Sequence, residues 1–169
     1  MTASQAVALL QSRELIQRFV TDQNLLPVLF SGQWDSSKGD WKHSITRRPP
    51  SLEDAYRLIT RRVLSVEEDR RTGLVIIRVT WTDPELAAKW ANELLRRANE
   101  KARELALRDA DQSLVHLKRE MDRATAVEVR QSIAALMEAQ LNKKVLAEVR
   151  PDFAFRVLDT ALPSDLDNF

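Results

Sequence analysis

The segment from Val79 to Leu95, VTWTDPELAAKWANELL, changes its hydrophobic period at Pro84, and this change constrains the fold most strongly. Up to Trp81 the apolar residues alternate as they do in a strand, whereas beyond Pro84 they recur at helical spacing to about Thr125. At about 1.5 Å per residue, a helix of about 40 residues extends about 60 Å, more than the diameter expected for a compact domain of this size. We therefore expect a long helix that protrudes from a smaller folded base.

Asp83 and Pro84 specify where this helix begins. The residue before a proline is biased away from helical ψ, and aspartate is a favoured N-cap, so Asp83 suits that position. Pro84 suits the first helical position, because the N–H that it lacks needs no partner there. Thr82 and Glu85 also have the spacing of a capping box.

One face of this helix carries a narrow apolar stripe in which alanines occupy the middle, so that a neighbouring helix can approach closely. The stripe comprises Leu86, Trp90, Leu94, Ala98, Ala102, Leu105, Ala110, Leu114, Leu117, Met121 and Ala124. We take most of them as candidates for packing within the helical arm or for association between copies of the chain: Trp90, Leu94, Ala98, Ala102, Leu105, Leu114, Leu117 and Met121.

A second helix is predicted to return along the first. The capping-box pattern of Thr125 to Glu128 indicates a corner, and Pro151 marks the end of the helical pattern. Between them a second apolar stripe comprises Val129, Ile133, Met137, Leu141 and Val145. A helical hairpin, in which the second helix covers the stripe of the first, is the economical arrangement.

The rest of the chain predicts a small base of helices and strands. LSVEED and LVIIRVTW, separated by RRTG, indicate an antiparallel hairpin whose second strand is well buried. Residues 153–162 alternate and are predicted to form a strand that rejoins this hairpin in a mixed sheet. The predicted class is α+β, a single domain over residues 1–169. Its α/β base spans about 1–82 and 151–169, and its helical arm spans about 83–150.

Composition and motifs argue against several classes of function. The net charge of +1 on 169 residues argues against a nucleic-acid-binding protein that works through bulk charge. The chain has no cysteine, which excludes disulfides, thiolate zinc sites and cysteine nucleophiles. His43 and His116 have no spacing that suggests a shared metal, and no GxGxxG, P-loop, GxSxG or HExxH pattern occurs. We predict no catalytic, metal or cofactor site.

A long segment between Ser31 and Ser51 is predicted to be a surface loop, and it carries the candidates for contact with a glycan or a partner: Trp34, Trp41, Arg47 and Arg48. Tryptophan flanked by polar residues can stack on sugar rings or bury itself at a protein interface. The alternative is that both tryptophans fix the loop to the base.

Taken together, these segments resemble the extracytoplasmic domain of chain-length determinant (Wzz-type) proteins, the polysaccharide co-polymerases. The likeness begins with SRELIQRFVTDQNLLPVLF and continues through QWDSSKGDW and PPSLEDAYRLI. Its strongest part is GLVIIRVTWTDPELAAKWANELL, which is similar to the family's strand followed by Asp-Pro, Ala-Ala and Ala-Asn-x-Leu. VLDTALPSD resembles the closing strand and the proline-containing stretch of the family, so the likeness covers nearly the whole chain.

The resemblance implies a periplasmic domain between two membrane helices of an inner-membrane protein in a Gram-negative bacterium. The sequence contains neither membrane helix nor the strand expected before the first helix, so we expect an excised periplasmic part with Met1 added. Such proteins assemble into rings and set the length of O-antigen or related polysaccharides. The implied partners are further copies of the chain, a Wzy-type polymerase and lipid-linked polysaccharide, with no nucleic acid. No enzymatic activity and no cofactor are implied.

Two alternatives remain open. The first is the periplasmic domain of a tyrosine autokinase or export co-polymerase, in which cytoplasmic Walker motifs would follow the second membrane helix. The second is a carbohydrate-active enzyme or glycan-binding module that uses Trp34, Trp41 and the arginines.

Overall fold

The computed structural model describes residues 2–42, 48–150, 154–158 and 160–163 of the chain. It combines helix and sheet: 65% is helical, with two small antiparallel sheets and one long helix, in agreement with the predicted α+β class. The chain divides into two compact units, one comprising Met1–Leu95 and Asp159–Phe169 and the other Arg96–Leu158.

Four short helices build much of the first unit. They are α1 (Ala3–Leu10), α2 (Arg13–Asp22), α3 (Leu26–Leu29) and α4 (Leu52–Leu58), and a π-helical turn at Ile59–Val63 follows the last. α1 and α2 are separated at Ser12, whose hydroxyl accepts a hydrogen bond from the Leu15 N–H at 3.4 Å and so caps α2. Leu10, Ile16 and Phe19 are almost completely buried and form part of the core.

The predicted loop contains secondary structure of its own, which corrects the sequence-based expectation. A 3₁₀ turn at Ser31–Gln33 leads into two antiparallel strands, β1 (Trp34–Asp35) and β2 (Asp40–Trp41). The turn between them is closed by Asp35, whose carboxylate accepts hydrogen bonds from the N–H and the hydroxyl of Ser37. Gly39 adopts φ 63°, a conformation that favours glycine.

The predicted antiparallel hairpin is present as β3 (Leu64–Asp69) and β4 (Leu74–Val79). Leu64 lies opposite Val79, and Asp69 lies opposite Leu74. Leu64 and Val66 are buried. The expectation that the second strand is well buried was wrong: Leu74 and Ile76 are each 43% exposed. Their side chains alternate with those of Val75 and Ile77, and only one face of so small a sheet is covered in the described structure.

The predicted mixed sheet and its closing strand are also corrected. Both described sheets are antiparallel and two-stranded. Of the predicted strand over residues 153–162, Phe153 and Asp159 lie outside the described residues, and the rest of that segment is not in a strand. The described main-chain hydrogen bonds of that segment go to asparagine side chains instead of a neighbouring strand.

The long helix is α5 (Pro84–Arg123), 40 residues that run through the end of the first unit and the start of the second. Within the second unit it is followed by α6 (Val127–Val149) of 23 residues. The Lys144 Nζ on α6 donates to the Asp111 carboxylate on α5 at 2.8 Å, as expected if α6 folds back beside α5. The capping box predicted at the corner is not formed: Ala126 is the N-cap of α6 and supplies no side-chain hydrogen bond.

Candidate functional site

Asp83 and Pro84 lie at the beginning of the long helix, as predicted. Pro84 is the first residue of α5, and the Asp83 Oδ1 accepts hydrogen bonds from the N–H groups of Glu85 at 3.0 Å and Leu86 at 3.2 Å. The cap is therefore the Asp83 carboxylate, which satisfies two of the free N–H groups of the first turn. Its negative charge also lies at the positive end of the helix dipole.

Trp90 and Leu94 belong to the core of the first unit. Trp90 is 4% exposed, and its ring lies 6.3 Å from that of Phe19 in an edge arrangement and 5.1 Å from that of Trp81. Leu94 is 2% exposed. Their roles are accounted for by packing within that unit, because little of either side chain is accessible to another copy of the chain.

The interior of the second unit is lined by small side chains. On α5 the buried residues are Ala98, Ala102 and Ala110 together with the polar Asn99, and on α6 they are Ile133 and Ala147. Alanine removes little apolar surface from water compared with a larger side chain, for which burial contributes about 1.5–3 kcal/mol. The hairpin therefore has a small apolar interior for its length.

At the corner between the two helices, Arg130 supplies the capping interaction. Its guanidinium Nη1 donates to the Met121 carbonyl oxygen at 3.2 Å and to the Ala124 carbonyl oxygen at 3.3 Å. These carbonyls belong to the last turn of α5 and the residue just beyond it, where partners within the helix are lacking and positive charge is favoured.

The other predicted stripe residues on α5 are covered unequally. Ala98 and Ala102 are buried, and Leu114, Leu117 and Met121 are half-buried. Leu105 is 37% exposed and therefore lies outside the interior. The buried positions of α5 continue through Ala102 and Ala110, and Leu105 lies to one side of this buried face.

The predicted stripe on α6 was largely wrong. Ile133 is buried and Met137 half-buried, but Val129, Leu141 and Val145 are 50%, 48% and 54% exposed. Uniform steps of four residues drift around a helix that has 3.6 residues per turn. The less exposed positions follow alternating steps of four and three instead: Ile133, Met137, Gln140, Lys144 and Ala147.

The large apolar side chains of the hairpin lie mostly outside. The exposed ones on both helices, which we call the hairpin surface, are Leu105, Val115, Val127, Val129, Leu136, Leu141, Val145, Leu146 and Val149. Val127 and Val149 are 63% and 73% exposed, and every other residue of the set is at least 37% exposed. Of this surface, sequence reasoning named only Leu105 as a candidate for association and missed the rest. The available signal was that α6 carries more large apolar residues than one face of a helix can accommodate.

Trp34 and Trp41 form a pair across the β1–β2 hairpin. They lie opposite each other in the strand register, with ring centroids 4.9 Å apart and an interplanar angle of 75°, an edge-to-face arrangement. Both are half-buried. The structure therefore brings these two candidates together, and each ring is a packing partner of the other.

The structure describes one of the two arginine candidates, Arg48. The Arg48 guanidinium binds both carboxylate oxygens of Asp54, at 2.8 and 3.2 Å. Arg47 lies outside the described residues. Asp54 also accepts hydrogen bonds from the N–H and hydroxyl of Ser51, the N-cap of α4. These Ser51 interactions, followed by Arg48, lower the pKa of Asp54 from 3.8 to about 2. Arg48 thus binds the capping-box carboxylate at the N-terminal end of α4.

The other shifted pKa values also have structural causes. Hydrogen bonds from Ser37 lower the pKa of Asp35, and those from Thr72 and Arg71 lower that of Asp69; both aspartates end a strand just before a turn. A hydrogen bond to Asp111 raises the pKa of Lys144. Among the residues that the structure describes, no group of three or more His, Cys, Asp or Glu is arranged to hold a metal ion.

None of the helices in the described part of the chain is both long and apolar enough to span a membrane. Comparison of the chain with protein-family models, with curated proteins and with solved structures found no match. The candidate functional site is therefore defined only by the exposure and chemistry of its side chains. Its main component is the hairpin surface.

Proposed function

We propose that this chain is a non-catalytic scaffold: the periplasmic domain of a chain-length determinant (Wzz-type) protein, which assembles with further copies of itself and acts beside a Wzy-type polymerase. In this proposal the oligomer sets the length of O-antigen or a related polysaccharide. The observation that carries the proposal is the hairpin of α5 and α6, with its small interior and its exposed large apolar residues. The sequence resemblance supplies the biological context.

The hairpin surface supports the scaffold on energetic grounds. Nine large apolar residues on α5 and α6 are exposed, and burying such side chains between copies would remove apolar surface from water. Burying Leu141 or Val145 at an interface would recover part of the roughly 1.5–3 kcal/mol that a fully buried large side chain contributes. Homo-oligomers are the commonest assemblies of soluble chains, and a long helix offers a side-by-side contact with the next copy.

The test of the biological role is the length distribution of surface polysaccharide. Gel profiles are compared between cells that carry the full-length gene, cells that lack it, and cells in which it has been restored. We expect a defined modal band that becomes an unregulated ladder on deletion and returns on complementation. An unchanged distribution in the deletion strain contradicts the proposal. Walker motifs downstream in the full open reading frame would assign the chain to the autokinase class instead.

A second candidate function, binding of a glycan, is favoured by the Trp34–Trp41 pair. The two residues are only half-buried although the rings pack against each other, so part of the aromatic surface is open to a sugar ring. Titration of the chain with the purified polysaccharide, followed by isothermal titration calorimetry, tests this function. Saturable binding that is lost in the Trp34→Ala/Trp41→Ala double variant, with the helical circular dichroism retained, supports it. Binding that survives in the double variant excludes this pair as the site.

A further inference from the structure

The chain that follows α6 is attached to α5 by two asparagine side chains. We call the described residues after α6, 154–158 and 160–163, the return segment. Asn99 binds its beginning: the Ala154 and Phe155 N–H groups donate to the Asn99 Oδ1 at 3.1 and 2.8 Å, and the Asn99 Nδ2 donates to the Phe155 carbonyl oxygen at 3.2 Å. At 7% exposed, Asn99 is a buried polar residue whose amide is used as both donor and acceptor.

Asn92 makes a similar attachment within the first unit. The Ala161 N–H donates to the Asn92 Oδ1, and the Asn92 Nδ2 donates to the Ala161 carbonyl oxygen, both at 3.0 Å. A side-chain amide that binds the N–H and the C=O of one residue reproduces the pairing of a neighbouring strand. Asn92 and Asn99 are seven residues apart on α5, which is close to two helical turns.

Few main-chain hydrogen bonds hold the described part of the return segment. In the part of this segment that the structure describes, the main-chain hydrogen bonds all go to Asn92 or Asn99. Its large apolar side chains are covered unequally: Leu158 is 67% exposed and Leu162 is 77% exposed, whereas Phe155 and Val157 are half-buried. The main-chain part of the attachment therefore depends on two amides of α5, and the half-buried side chains of Phe155 and Val157 add apolar contact.

We propose that Asn92 and Asn99 are positioning residues that bind the return segment through its main chain, so that this segment detaches locally while α5 and α6 stay folded. A strand in a sheet would be held by a ladder of hydrogen bonds along its length. A segment attached at two places is released when a few hydrogen bonds break. Its free energy of local opening is therefore lower than that of the helices. This inference is independent of the proposed function.

Hydrogen exchange at single amides, measured by NMR on the full chain, tests the proposal. In Asn99→Leu, which keeps the approximate shape but removes the amide, we expect exchange at Ala154 and Phe155 to accelerate about tenfold or more, because both N–H groups lose their acceptor. In Asn92→Leu we expect the same at Ala161. In Asn99→Asp, which keeps the acceptor oxygens but loses the donor, exchange at Phe155 should be intermediate.

The controls separate main-chain binding from general destabilisation. Leu158→Ala and Leu162→Ala change the side chains of the return segment and should leave exchange at Phe155 and Ala161 as in the parent chain. Asn142→Leu, at an exposed position of α6, should also leave it unchanged. Unaltered exchange in both asparagine variants overturns the proposal, and so does acceleration that spreads through α5 and α6. If Asn99→Leu fails to fold, the result for Asn92→Leu decides, since Asn92 is exposed.

Discussion

Lys144 on α6 and Asp111 on α5 form an ion pair at 2.8 Å between positions 33 residues apart in the sequence. The two residues join the outgoing and returning helices of the second unit. Lys144 occupies a position in the α6 face that packs against α5, where it is half-buried and next to the buried Ala147 in the helical spacing. A charged pair thus helps to set the register of a hairpin whose interior is otherwise small.

Raising the pH should weaken this pair. The hydrogen bond to Asp111 raises the pKa of Lys144 above its ordinary value of 10.5. The contribution of the pair to stability is therefore complete below pH 10.5 and is lost as the pH rises through the folded value. We expect Lys144→Gln to lower the unfolding midpoint slightly at pH 8 and to make less difference above pH 11, as measured by circular dichroism at about 222 nm. Lys143→Gln, at the exposed neighbouring position, is the matched control; an equal loss in that variant contradicts the prediction.

The start of α4 should be sensitive to acid. Because hydrogen bonds from Ser51, and then Arg48, lower the pKa of Asp54 from 3.8 to about 2, its contribution is present above pH 3.8 and is lost as the pH falls toward 2. Ser51→Ala removes the N-cap hydroxyl and should cost about 1 kcal/mol at neutral pH. Urea unfolding measures this loss. Ser36→Ala, at an exposed serine of the β1–β2 turn, should cost less than about 0.5 kcal/mol; equal losses in the two variants would show that the cap contributes nothing specific.

The two kinds of apolar residue on α6 should respond differently to truncation. Ile133 is 9% exposed, so Ile133→Ala should cost about 2–4 kcal/mol through lost burial and the cavity left behind. Leu136 is 54% exposed, so Leu136→Ala should cost less than about 1 kcal/mol. Both are measured by urea unfolding at low protein concentration, where association does not contribute. Similar losses in the two variants would mean that the assignment of interior and exterior on α6 is wrong.

Charges placed on the hairpin surface should oppose association. We expect the parent chain to sediment above the monomer mass as its concentration is raised, because apolar side chains such as Leu141 and Val145 become buried between copies. Leu141→Glu and Val145→Glu should shift the equilibrium toward the monomer by about tenfold or more, since a carboxylate resists burial. Ser132→Glu and Asn142→Glu add the same charge at exposed polar positions of α6. Analytical ultracentrifugation distinguishes the two sets, and a monomer at every concentration contradicts self-association of this chain.

Local sequence signals predicted the features whose causes are local. Asp83 before Pro84 predicted where α5 begins. The strand pattern on either side of RRTG predicted the β3–β4 hairpin. The interior of the second unit was predicted only in part. The correct face of α6 depends on which positions meet α5, and apolar character alone did not distinguish Ile133 from Leu141.

The tertiary structure decided the features that depend on distant partners. Alternation over residues 153–162 predicted a strand, but a strand needs a neighbour, and the described hydrogen bonds of that segment go to Asn92 and Asn99. Pairing of Trp34 with Trp41 likewise required the two-stranded turn that brings them to 4.9 Å. Helix caps and the hydrophobic periodicity of a helix or strand are determined by residues that lie close together in the sequence. Burial and amide pairing are determined by whichever residues the fold brings close, and so by the chain as a whole.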